Sequence, residues 1–143
     1  MSTGVSVPTG FGWVAASLLS TAVVLQWQSV VVAKARKSAA IEYPRLYADK
    51  AEMATSNAAV VFNCKQRAHQ NTLEHMPTLL IATLIAAIRY PKLAAAACGT
   101  WSLGRILYTI GYSSGVPAKV RRVLSLAFLP DGPMARSACQ VRV

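Results

Sequence analysis

The chain begins with a long stretch free of charge: no charged side chain occurs in residues 1–33, and residues 11–33, FGWVAASLLSTAVVLQWQSVVVA, form a 23-residue run dominated by apolar positions. As a helix rising ~1.5 Å per residue, this run reaches about 35 Å, enough to cross a bilayer core of ~30 Å. Its length and uncharged start predict a retained span rather than a cleaved signal, which would open on basic residues and carry a shorter apolar core. A second run, 75–88, has 14 uncharged residues, too few alone, but the polar octet RAHQNTLE at 67–74 can supply preceding turns of the same helix, giving a span over 62–88. The third run, within 93–118, is broken by one charge, Arg105, and predicts a span over 93–115. Between the last two, RYPK reads as a tight turn at Pro91.

The segment 37–63 mixes both charge signs with turn formers and contains Pro44, so it reads as the one sizeable loop. After KVRR, the apolar stub 123–130 (VLSLAFLP) runs into a polar tail whose Asp131, Gly132 and Pro133 forbid continuation as a span. The pattern therefore predicts an all-α integral membrane bundle, a single domain over 1–143 with three spans and, over 123–143, a stub and polar tail.

Composition agrees, with 54% hydrophobic and 14% charged residues. Fifteen Lys and Arg face five Asp and Glu, and their distribution decides what the excess means. The loop and its flanks hold Lys34, Arg36, Lys37, Arg45, Lys50, Lys65 and Arg67; the tail adds Lys119, Arg121, Arg122, Arg136 and Arg142; only Arg89 and Lys92 fall on the other side. The positive-inside rule then places the loop and tail in the cytoplasm and the amino terminus in a lumen or outside. No basic helix with interleaved aromatics is left for nucleic acid. The three cysteines, Cys64, Cys98 and Cys139, show no paired spacing and read as unpaired thiols, and no metal site is expected.

At ~100° per residue, Arg67, Asn71 and Glu74 fall within an arc of roughly 60°, and so do Arg105, Tyr108 and Tyr112 on the third helix. A charge at mid-bilayer depth costs at least ~2.5–3.5 kcal/mol, so Arg105 needs a protein partner or a wet cavity. These stripes are either a ligand site or interhelical glue, Arg67 with Glu74, beside interfacial tyrosines; the residues alone leave both open. As a site, arginines suit carboxylates, Glu74 suits an ammonium and Asn71 an amide, the inventory of an acidic zwitterionic peptide such as glutathione.

The segments KARKSAAIEYPRLYA, FNCKQRAHQNTLEHMP and GRILYTIGYSSGVPAK resemble the membrane-associated proteins of eicosanoid and glutathione metabolism, over about residues 13–122. The resemblance implies a four-helix membrane bundle, a homotrimer, and glutathione as co-substrate between subunits near the cytoplasmic side. It implies glutathione contacts at Arg36, Arg67, Gln70, Asn71, Glu74, Arg105, Tyr108 and Tyr112. It also implies a catalytic cation that holds the thiol as thiolate, Arg121 or its rival Lys119. His75 stands where one branch of the family has a tyrosine. The implied activity is transferase or peroxidase chemistry on a lipophilic electrophile or a lipid hydroperoxide. The implied location is the endoplasmic reticulum membrane, with the mitochondrial outer membrane as alternative. Where the family has a fourth span this sequence has the stub, an end that reads either as a truncated or alternative product or as a misread end of the gene. Two other functions follow: a non-catalytic lipid-binding or scaffolding protein, or an inactive product.

Overall fold

In the computed structural model, which describes residues 9–113, the uncharged amino-terminal run is helix α1 (Phe11–Ser38). Short helix α2 (Lys50–Thr55), α3 (Asn57–Arg89) and α4 (Pro91–Ser113) follow, with no strand among the described residues. By length and composition α1 and α3 are each able to cross a membrane. Both outlast their predicted spans, and α3 begins at Asn57 rather than 62, because Ala59 and Phe62 are fully buried against the end of α1. The predicted loop 37–63 shrinks accordingly to residues 39–49, α2 and the single residue Ser56.

α1 stops in a way its sequence hides. Ala40 takes a left-handed conformation (φ 52°), its N–H donates to the Lys37 carbonyl, and the Ile41 N–H donates to the Arg36 carbonyl. This is the Schellman pattern, with Ile41 buried beside Ala35 as its apolar contact. The position favours glycine, since an L-residue there costs ~1–2 kcal/mol. Ala40→Gly is expected to raise stability by about 0.5–1 kcal/mol, after the extra freedom glycine gives the unfolded chain is deducted. A thermal unfolding midpoint in detergent that falls would refute the assignment.

The returning loop is pinned by side chains. Fully buried Asn63 accepts the Ala48 N–H at 2.8 Å and donates to the Ala48 carbonyl at 3.0 Å, pairing as a strand neighbour would. Glu52 accepts the Asp49 N–H at 2.8 Å at the start of α2 and pairs with Arg45, which also reaches Asp49 at 3.3 Å. The Arg45 hydrogen bond, aided by the Asp49 amide, holds the Glu52 carboxyl below its ordinary range. Between α3 and α4 only Tyr90 is non-helical, and Pro91 occupies the first position of α4, where its missing N–H loses nothing. Pro77 inside α3 lacks the N–H that would close on the Leu73 carbonyl, one turn beside Glu74.

The three long helices pack pairwise, with apolar clusters at the two ends: Val32, Ala35, Ile41, Ala48, Ala59 and Phe62 at one, Val14, Ala87 and Ala94 at the other. Between them the buried positions are small or polar, including Thr21, Gln28, Thr72, Cys98, Ser102 and Thr109. Large apolar side chains such as Leu19, Val23, Ile81, Ile85, Leu103 and Leu107 point outward. That inversion suits a lipid surround, where small residues let backbones approach and hydrogen bonds join the helices. One cysteine departs from expectation: Cys64 is disulfide-bonded, whereas Cys98 is a free, buried thiol. Spacing along the chain carries no record of such tertiary proximity.

Candidate functional site

The two predicted polar stripes meet between α3 and α4. The Arg105 guanidinium donates to Asn71 Oδ1 at 2.7 Å and lies 4.9 Å from the Trp101 ring and 5.6 Å from the Tyr108 ring. Aromatic faces and an amide oxygen thus give the charge its partners, the arrangement that apolar surroundings demand. Asn71 takes one guanidinium N–H, and Arg105 makes no other side-chain hydrogen bond among the described residues. Four N–H groups therefore remain to address a ligand. Tyr108 and Tyr112 follow one turn apart with ring centroids 4.4 Å apart. The Arg105–Asn71 bond thus brings the two stripes into one neighbourhood.

The remaining expected residues divide by place. Arg67, Gln70 and Glu74 are exposed on α3, as is His75. The glue pair envisaged between Arg67 and Glu74 does not form: among the described residues, salt bridges are made by Arg45 alone. The interhelical tie is Arg105 to Asn71 instead, because α4 presents its arginine at the level of Asn71. Arg36 is only 7% exposed, held between the Tyr43 ring at 4.4 Å and the Phe62 ring at 4.7 Å, and it donates to the Arg45 carbonyl. It therefore braces the loop, about one and a half turns of α3 from Arg67. Arg121 and Lys119 lie outside the described residues, as do the stub and the tail.

A second network, absent from the sequence reading, sits directly behind the site. The fully buried Gln28 side chain of α1 donates through Nε2 to Thr72 Oγ1 at 3.0 Å and to Thr109 Oγ1 at 2.7 Å. Each threonine gives its own hydrogen to a carbonyl one turn back, Thr72 to Ala68 and Thr109 to Arg105, so toward Gln28 both oxygens act as acceptors. This fixes the amide orientation and leaves Gln28 Oε1 facing His69 Nδ1 at 3.3 Å, which therefore carries the proton. One amide ties all three long helices, and its threonine partners adjoin Asn71 and Tyr108 in sequence. The signal was present in the run 11–33 as a glutamine in an apolar span, but a search for charges passes over it. Among the described residues no cluster of His, Cys, Asp or Glu could hold a metal ion.

Residues 14–130, most of the chain, match the family model described as the MAPEG family. No solved structure matches the chain.

Proposed function

Since the chain belongs to the MAPEG family, a group of glutathione-linked membrane proteins, we propose that it is a glutathione-dependent transferase or peroxidase of an intracellular membrane. On the motif RAHQNTLE and its companions we place it with the type 3 microsomal glutathione transferases, in the endoplasmic reticulum, working as a homotrimer. The observation that carries this reading is the Arg105–Asn71 bond, which leaves a partly desolvated guanidinium with free donors beside exposed Arg67 and Glu74. Such a face suits a peptide with two carboxylates and one ammonium. It lies open on the single chain, as a site completed by a neighbouring subunit would.

Arg67 and Arg105 would grip the glutathione carboxylates, Glu74 its ammonium, and Asn71 and Gln70 its amides, with Tyr108 and Tyr112 against its backbone. A cation is needed at sulfur. A thiol of pKa near 8.5 is mostly protonated at pH 7, and lowering that by two units takes about 2.7 kcal/mol. Arg121, or Lys119, would supply it. The thiolate then opens an epoxide: a C–S bond forms, a C–O bond breaks, and the alkoxide takes a proton. With a hydroperoxide it attacks the terminal oxygen, the O–O bond breaks and an alcohol leaves; a second glutathione converts the sulfenic acid to disulfide and water.

One observation favours a different reading, a non-catalytic lipid-binding protein: Arg36, expected at a carboxylate, is occupied by two rings and a loop carbonyl. Thiolate absorbance of glutathione with the purified full chain in detergent separates the two, with Arg121→Ala and Lys119→Ala as controls. Transferase function requires a thiolate signal that one of these variants abolishes; binding without thiolate, or no binding, sinks it. Arg67→Ala is expected to weaken glutathione binding about tenfold by calorimetry, the value of one charge-assisted contact. Unchanged affinity would remove Arg67 from the site.

A further inference from the structure

At the end of the bundle opposite Arg36, α1 begins against the turn between α3 and α4. Gly10, with φ 95°, brings the chain so close that a Cβ there would stand 3.6 Å from the Pro91 ring. Below this junction a groove of about 560 Å³ opens between α1 and α4, lined by Trp13, Ala16, Ser17, Lys92, Ala95 and Ala96. Ala16 and Ser17 on α1 and Ala95 and Ala96 on α4 leave the space, and Trp13, 68% exposed, forms one wall. Lys92, the second residue of α4, forms the rim, and Arg89 lies beyond it, stacked 5.3 Å from the Tyr90 ring. The charge here is of one sign. α1 and α4 contain no acidic residue, and the nearest along α3 is Glu74, fifteen residues before Arg89 or about 22 Å of helix.

We propose that this groove is a binding site for a phospholipid with a net negative headgroup. Its phosphate meets Lys92 Nζ, with Arg89 adding to the local potential, and its glycerol and first acyl carbons lie on the alanine and serine floor against Trp13. Trp13 stands near the start of α1, a helix able to cross a membrane, and Lys92 near the start of α4 packed on it. Tryptophan and lysine are residue types that sit at headgroup depth, the lysine stem running along apolar surface while its ammonium stays wet. A neighbouring copy of this chain is a poorer occupant. Held at the same depth by the same membrane, it presents Arg89 and Lys92 at this level and so sets like charges together. The site is distant from Arg67, Asn71 and Arg105 and stands whether or not glutathione is the substrate.

The test uses the full chain in bilayer nanodiscs with spin-labelled phosphatidylglycerol or phosphatidylcholine as probe. An immobilised phosphatidylglycerol component about fivefold stronger than that of phosphatidylcholine is expected, the scale of one cation near a headgroup. Lys92→Ala should bring the ratio to about one. Ala96→Trp, which fills the groove and keeps the lysine, should abolish the immobilised component. Equal association of the two lipids, or preference unchanged in Lys92→Ala, overturns the proposal. So does immobilisation that survives Ala96→Trp, or efficient crosslinking of Ala96→Cys between copies. Glutathione binding, measured on each variant, should stay at the level of the parent and certifies its folding; where the parent binds none, the thermal unfolding midpoint serves instead.

Discussion

Replacing Asn71 by leucine is expected to destabilise the bundle by about 2–3 kcal/mol, whereas replacing Arg105 by methionine changes stability by less than ~1 kcal/mol. The asymmetry follows from what each change leaves behind. Asn71→Leu removes the acceptor at 2.7 Å and leaves the Arg105 guanidinium half-buried with only the Trp101 and Tyr108 rings for company. Arg105→Met removes the charge itself and leaves a neutral amide, which is far cheaper to strand. The double variant should therefore recover most of the stability lost in Asn71→Leu, giving a coupling energy of opposite sign to the first loss. Unfolding in mixed detergent micelles measures all three. Equal losses in the two single variants would show that the bond stabilises nothing beyond local packing. The same set separates adhesive from site: Arg105→Met, though folded, should lose at least tenfold in glutathione affinity, because a charge-assisted carboxylate contact is worth ~1.5–3 kcal/mol. A stable Arg105→Met protein with undiminished glutathione affinity would make the pair structural glue.

Gln28→Leu is expected to lower stability by about 2 kcal/mol, three interhelical hydrogen bonds at the ~0.6 kcal/mol each that such bonds average in membranes. The volume is nearly kept, so the loss reports the polar contacts rather than a cavity. Thr72 and Thr109 retain their backbone acceptors and lose only the amide, while the His69 Nδ1 proton loses its acceptor. A single loss spread over three helices should appear as one cooperative unfolding step at a lower midpoint. Amide exchange should speed up near residues 28, 72 and 109 together. A protein whose stability is unmoved, or whose exchange rises on α1 alone, would show that the amide does not join the helices.

Much of the fold was legible because lipid is an exacting solvent. A long uncharged run has to be helical when no water can satisfy the backbone, so α1 follows from residue type and run length, and the shorter apolar runs 75–88 and 93–104 mark the bodies of α3 and α4. Helical spacing likewise set Arg67, Asn71 and Glu74 on one face and Arg105, Tyr108 and Tyr112 on another. The ends of the helices were less legible. The first turns of α3 carry the composition of a loop and become helix because Ala59 and Phe62 are buried against α1. Residue Ala40 ends α1 without the glycine that usually announces such a stop.

Sequence by itself determined the periodic and the local: which runs are helices, which residues share a helical face, where charge is concentrated, and which family the motifs resemble. These depend on neighbours within a turn or two, and the chain records them directly. Only the tertiary structure decided which face meets which. It matched Arg105 with Asn71 rather than Arg67 with Glu74, took Arg36 into the loop's support, put Cys64 in a disulfide, and set one uncharged glutamine where three helices converge. Such pairings depend on the rotation and depth of each helix against the others. Those are fixed by many small contacts between residues distant in sequence, of which no single stretch of the chain holds a record.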